Sequence, residues 1–180
     1  MNNLKNFPSV YYISLEDSYE RQKGMNLQLD LLGIENRHMV IGYDGRTTDY
    51  KNHSLVKGMY FQQLDSGQIA VKMSHLKAIK EWYYQTDEPY AIFLEDDMTF
   101  ETSRHWNFTW EELLNSFPEN WKVVQLSLIK ENGIEKSDMN LQKRQWWFWS
   151  AGAYLLKREY AKVLIDTYCN EGGYNLTIKK

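Results

Sequence analysis

Glu95-Asp96-Asp97 is the segment of this chain whose residue types most directly suggest chemistry. Three consecutive carboxylates repel one another unless something positive sits among them. A hard divalent cation is the natural partner, because Mg²⁺ and Mn²⁺ take oxygen ligands. Magnesium uses one or two protein carboxylates and completes its shell with water and substrate phosphate, so no histidine or cysteine cluster is required. A solvated acidic turn would have the same composition, and the three residues alone leave both readings open. The preceding segment, Tyr90-Ala-Ile-Phe-Leu94, favours the cation. It is a continuous apolar run of strand length, which places the acids at the end of a buried strand.

The elements that would position these acids follow from pattern. Ser9 to Leu15 is rich in β-branched and aromatic residues and predicts a buried first strand. Asp17, with Glu20 three residues on, predicts a capped helix running to about Leu32 and stopping at Gly33. Arg37 to Ile41 predicts a second strand, closed by the turn residues Tyr43-Asp44-Gly45. Ser66 is a candidate cap for a long helix whose apolar positions are Ile69, Met73, Leu76 and Ile79. Glu88-Pro89 breaks the chain before the Tyr90 strand. Trp110 to Phe117 predicts a helix, Lys122 to Ser127 and Gly152 to Leu156 predict strands, and Arg158 to Tyr168 predicts a closing helix. Alternating strands and helices indicate an α/β domain with a mostly parallel sheet. Ligands in such sheets bind outside the carboxyl ends of the strands, which is where the three acids would lie.

Bulk properties narrow the function. A length of 180 residues without a linker or composition break predicts one domain over residues 1–180. A net charge of −3 provides no basic field for nucleic acid. The single cysteine, Cys169, excludes an intrachain disulfide and a multi-cysteine metal site, and fits a reducing compartment. Residues 1–8 are polar, with no apolar signal core, and no run has the length of a membrane span. A cytoplasmic setting is the expectation, with the sequons at Asn52, Asn107 and Asn175 read as chance matches.

Five blocks, in order, resemble glycosyltransferase family 25, the family of bacterial lipooligosaccharide galactosyltransferases and collagen galactosyltransferases. They are Val10-Tyr-Tyr-Ile-Ser-Leu15 with Asp17-Ser-Tyr-Glu-Arg21; Gly42-Tyr-Asp-Gly45; the Ser74-His75 helix from Gly67 to Ala78; Ala91-Ile-Phe-Leu-Glu-Asp-Asp97; and Gly152 to Ala161. Tyr160-Ala161 replaces the Gly-Ala expected in the last helix. Relatives usually continue with further elements after that helix, so the domain is expected to be C-terminally short. The resemblance implies a GT-A type fold, a Rossmann-like α/β/α sandwich with a mostly parallel central sheet. It further implies inverting transfer of a hexose, galactose or glucose, from a UDP-sugar to a saccharide or glycan acceptor, as in lipopolysaccharide biosynthesis.

The same resemblance distributes roles. Asp97 is expected to bind Mn²⁺ or Mg²⁺, with Glu95 in the metal shell, and Glu95 or Asp96 is expected on the ribose hydroxyls. Arg21 would reach the nucleotide from the first helix, although a solvated helix arginine would look the same. Leu15 to Asp17 would frame the uracil through backbone groups. Asp44 would contact the nucleotide or make the turn before Gly45. Ser74 and His75 would wall the donor site or support the acidic loop. Trp146-Trp-Phe-Trp149 would stack on sugar or fill the core. The catalytic residue is unassigned, with Glu131, Glu135 and Asp138 among the candidate bases. The competing readings are a non-catalytic sugar-nucleotide or glycan-binding module of the same fold, a metal-dependent phosphohydrolase and a structural protein.

Overall fold

The computed structural model describes residues 3–58, 64–127, 143 and 150–177. In chain order the elements are β1 (Val10–Ser14), α1 (Tyr19–Leu31), β2 (Arg37–Ile41), β3 (Val56–Lys57), α2 (Ser66–Gln85), β4 (Tyr90–Glu95), α3 (Trp110–Asn115), β5 (Val123–Gln125), β6 (Ala153–Lys157), α4 (Arg158–Tyr168), β7 (Cys169–Asn170) and β8 (Gly173–Asn175). The main sheet has the order β2-β1-β4-β6-β5.

β1 is buried along its whole length, and β4 everywhere except at its two ends. Both therefore read as unbroken apolar runs rather than alternating ones, as strands covered on two faces do. Side-chain alternation divides them between two layers. Val10, Tyr12, Ile92 and Leu94 point into a cluster with Met25 and Leu29 of α1 and Trp110 and Leu113 of α3. Tyr11, Ile13, Ala91 and Phe93 point the other way, against Ala78, Ile79 and Trp82 of α2 and Ala161 and Ile165 of α4. The result is an α/β/α layering. Phe93 lies at its centre, stacked on Tyr154 at 5.3 Å and edge-on to Trp82 at 5.7 Å.

The expected parallel sheet is obtained in part. β1 runs parallel to both β2 and β4, but β6 is antiparallel to its neighbours β4 and β5. The chain leaves β5 and re-enters at β6 on one edge, where the Ser127 and Ser150 hydroxyls lie 2.8 Å apart. A return on the same edge reverses the strand, whereas a parallel pair needs a crossover.

Two helix starts differ from expectation. The N-cap of α1 is Ser18, and it makes no side-chain cap bond; Asp17 is drawn off into an ion pair with Arg46. The N-cap of α2 is Asp65, which forms a capping box with Gln68. Ser66 instead ties down the preceding loop, donating to the Thr48 carbonyl at 2.7 Å and accepting from the Tyr50 amide at 2.8 Å. A second sheet, β3-β8-β7, packs Tyr174 and the following Leu176 against Ile69, Ala70 and Met73 of α2. Its strands have two or three residues each, too few for a period to register.

Candidate functional site

The carboxyl ends of β1, β2 and β4 meet at one edge of the sheet, since Ile13 pairs with Glu95 and Ser14 with Ile41. The ladder continues one residue beyond β4, with the Asp96 amide donating to the Ile13 carbonyl at 3.1 Å. That bond turns Asp96 inward beside Ser14. Its Oδ2 accepts from the Ser14 hydroxyl at 2.6 Å, and its Oδ1 pairs with Arg21 Nη1 at 3.0 Å. A buried carboxylate is tolerated only when paired and hydrogen-bonded, and Asp96 is both.

Glu95 takes a different partner. Its Oε1 lies 3.3 Å from His75 Nε2, and His75 Nδ1 lies 3.0 Å from the Tyr154 hydroxyl. With Tyr154 donating to Nδ1, a neutral imidazole presents its Nε2–H to Glu95. That hydrogen bond holds the Glu95 carboxyl below the ordinary value of 4.5 against the opposing effect of burial. Burial, with the Glu95 charge added, pushes the Tyr154 phenol well above its usual range.

Asp97 is exposed and has no ion-pair partner among the described residues. Partial loss of water, followed by the charges of Glu95 and Asp96, raises its carboxyl above the ordinary value of 3.8. The edge therefore holds more negative charge than its neighbours compensate, a condition a cation relieves. Among the described residues no group of three or more His, Cys, Asp or Glu side chains forms a ready cage. The donor set still fits Mg²⁺ or Mn²⁺ completed by phosphate and water. Asp97 offers its carboxylate and Glu95 its second oxygen, whereas both oxygens of Asp96 are engaged.

A third group joins the loops after β1 and β2. Arg46 Nη2 reaches Asp17 at 2.7 Å and Asp44 at 2.8 Å, and Asp44 also accepts from the Arg46 amide at 2.8 Å. The hydrogen bonds from Arg46 lower the Asp44 carboxyl to about 2. Gly45 allows the turn to press against α2: a Cβ there would sit 2.6 Å from Gly67 Cα.

The fold thus gathers Arg21, His75, Glu95, Asp96 and Asp97 along one edge. Asp17 and Asp44 are turned toward each other through Arg46. The Leu15 carbonyl accepts from Gln22 Nε2 at 2.7 Å and from the Ser18 amide at 3.1 Å. Ser74 is buried, accepting from the Tyr43 amide at 2.8 Å and donating to the Ala70 carbonyl at 2.7 Å, so it supports the loop after β2. Glu131, Glu135, Asp138 and the Trp146–Trp149 run lie outside the described residues. Sequence reasoning missed Ser14, Arg46 and Tyr154 as members of these networks. Ser14 carried a signal, as a polar residue inside an apolar run. Tyr154 lay inside the Gly152 to Ala161 block that resembles the family, but by residue type alone it reads as one more core aromatic.

A cavity of about 760 Å³ opens elsewhere, beside Tyr90 and Arg158 at the amino end of β4. Convergent charge, with the Glu95 carboxyl lowered and the Asp97 carboxyl raised, marks the acidic edge instead as the candidate site.

The sequence model of glycosyltransferase family 25, described as LPS biosynthesis protein, matches residues 7–175, from before β1 through the end of β8. The chain belongs to glycosyltransferase family 25. Membership makes it a glycosyltransferase by class, acting between a sugar donor and a glycan acceptor. No curated protein matches the chain significantly. Among the described residues of this family 25 member, no helix is long and apolar enough to cross a membrane.

Proposed function

We propose that this family 25 member transfers a hexose, galactose or glucose, from a UDP-sugar to a saccharide acceptor with inversion at the anomeric carbon. Mn²⁺ or Mg²⁺ would be held by Asp97 and Glu95. One observation carries the reading: of three adjacent carboxylates, Glu95 and Asp96 have protein partners, and Asp97 has no ion-pair partner among the described residues. The α/β/α layering accords with a GT-A type arrangement, with the acids outside the carboxyl end of a central strand.

In an inverting transfer the acceptor hydroxyl gives up its proton to a base and its oxygen bonds to the anomeric carbon as the bond to the diphosphate oxygen breaks. Negative charge develops on the departing UDP, and the bound ion supplies the Lewis-acid stabilisation of that charge. The protein's own groups prepare the edge for this. Asp96 and Ser14 anchor Arg21, whose half-exposed guanidinium keeps N–H donors for a phosphate oxygen. His75 fixes one oxygen of Glu95 and, by lowering its titration, keeps it anionic. The Arg46 clamp holds the two loops that flank the donor edge.

Calorimetric titration with UDP, with and without Mn²⁺, tests the reading. Mn²⁺ should tighten UDP binding to the wild-type protein, and Asp97→Ala should erase that gain while folding is retained. Equal Mn²⁺ dependence in the two proteins would count against the assignment.

A further inference from the structure

The 760 Å³ cavity lies at the end of β4 remote from the acids. Its volume is within the range of small-ligand sites, roughly 300–1,000 Å³. The walls combine aromatic and charged residues. Tyr90 and Trp121 line it with ring centroids 6.1 Å apart, and Tyr83 also lines it, as do the acids Asp87 and Glu159. Lys157 Nζ lies 5.0 Å from the Trp121 ring, and the Arg158 guanidinium lies 4.3 Å from the Tyr83 ring.

Of the three cations on the wall, Arg158 and Lys162 have carboxylate partners, and Lys157 has none among the described residues. The Lys157 ammonium donates to the Glu119 carbonyl at 3.2 Å. Arg158 donates to the Tyr83 carbonyl at 2.7 Å and reaches the fully exposed Asp87 at 3.4 Å, while its buried Nη1 has no hydrogen-bond partner. Lys162 is paired with Asp166 at 2.6 Å, and Glu159 is the one acid in the first turn of α4. Lys157 and Arg158 also stand at the N-terminus of α4, which no side chain caps.

Aromatic faces beside the Lys157 ammonium, which no carboxylate pairs among the described residues, suit a sugar ring carrying a phosphate or carboxylate. We propose that this cavity is a second binding site for an anionic saccharide, separate from the donor edge. β4 runs about 17 Å between the two ends. A glycan bound in the cavity would therefore be held by units remote from the reacting hydroxyl. That role rests on the transferase reading; the binding itself does not.

The test is amide NMR mapping on the full chain in metal-free buffer, with galactose 6-phosphate, galactose and inorganic phosphate as separate probes. Galactose 6-phosphate should shift the signals of Tyr90, Trp121 and Lys157, leave Ser14 and Glu95 unmoved, and bind more tightly than either fragment. Lys157→Gln, which keeps the aliphatic stem, should weaken it about threefold to fivefold, as loss of one solvent-screened charge contact does. Inorganic phosphate binding as tightly as the sugar phosphate would overturn the saccharide site in favour of a simple anion spot. So would shifts confined to the acidic edge, no shifts at millimolar probe, or unchanged affinity in Lys157→Gln. Should that variant fail to fold, the map on the wild-type protein decides alone. UDP titration with Mn²⁺ on the same sample keeps the two readings apart. Loss of UDP binding with the sugar-phosphate map intact would refute the donor reading only.

Discussion

Removing the Ser14 hydroxyl should destabilise the protein more than removing the Arg21 guanidinium, although the latter breaks the ion pair. Both groups serve the same buried carboxylate, Asp96. Ser14 is itself buried, and its bond to Asp96 Oδ2 is 2.6 Å, the length of a charge-assisted contact shielded from water. Such bonds contribute about 1.5–3 kcal/mol net. Arg21 is 49% exposed, so water screens its pairing and replaces it when it is lost. Exposed pairs contribute about 0–1 kcal/mol. Ser14→Ala should therefore lower unfolding free energy by about 1.5–3 kcal/mol and Arg21→Ala by less than about 1 kcal/mol. Urea unfolding monitored by tryptophan fluorescence measures both, provided the slope is unchanged between variants. In a chain of this size the Ser14 effect corresponds to a Tm decrease of about 3–12 °C. UDP binding supplies the converse: Arg21→Ala should weaken it while the fold persists. If Ser14→Ala is neutral, or Arg21→Ala is the more destabilising, the carboxylate is not held as described.

His75→Phe should raise the Glu95 titration above 4.5, because burial then acts unopposed; carboxyl-resolved NMR titration reads this directly. Since the folded value is depressed, this contact stabilises the protein above the unfolded carboxyl range, and its contribution is lost as pH falls through the lowered folded value. The wild type should thus lose more stability on acidification below about pH 4.5 than the His75 variant. Asp97→Asn, without metal, should leave Tm unchanged or slightly raised, because it removes a charge crowded by Glu95 and Asp96; a clear decrease would show that Asp97 has a structural partner. Gly45→Ala should cost about 1–3 kcal/mol in denaturant unfolding, since the new methyl meets the Gly67 backbone rather than a movable side chain.

Much of the layering was legible before any coordinates. β2 and α4 run over the residues predicted, and β1 and β4 fall within one residue of their runs. β1 and β4 are buried on two faces and α4 is strongly periodic, so burial and propensity agree there, whereas β2 is an edge strand with one buried residue, Val40. Helix starts were less legible. Asp17 carries the right side chain to cap α1, yet Arg46, distant in sequence, offers it a stronger partner. Asp65 rather than Ser66 caps α2, a one-residue difference that depends on where the incoming loop is tied.

For the acidic edge the division is sharper. Local residue types determined that three carboxylates follow an apolar strand, because that requires only adjacency in the chain. Which carboxylate is sequestered, which is oriented and which is left exposed was decided by tertiary structure. Asp96 meets Ser14 across a parallel strand pair, 82 residues away in sequence, and Glu95 meets His75 from a packed helix. The reversal of β6, which brings Tyr154 behind His75, is likewise a product of how the chain returns to the sheet. Side-chain charge is a local property, but its compensation depends on distances that only packing sets.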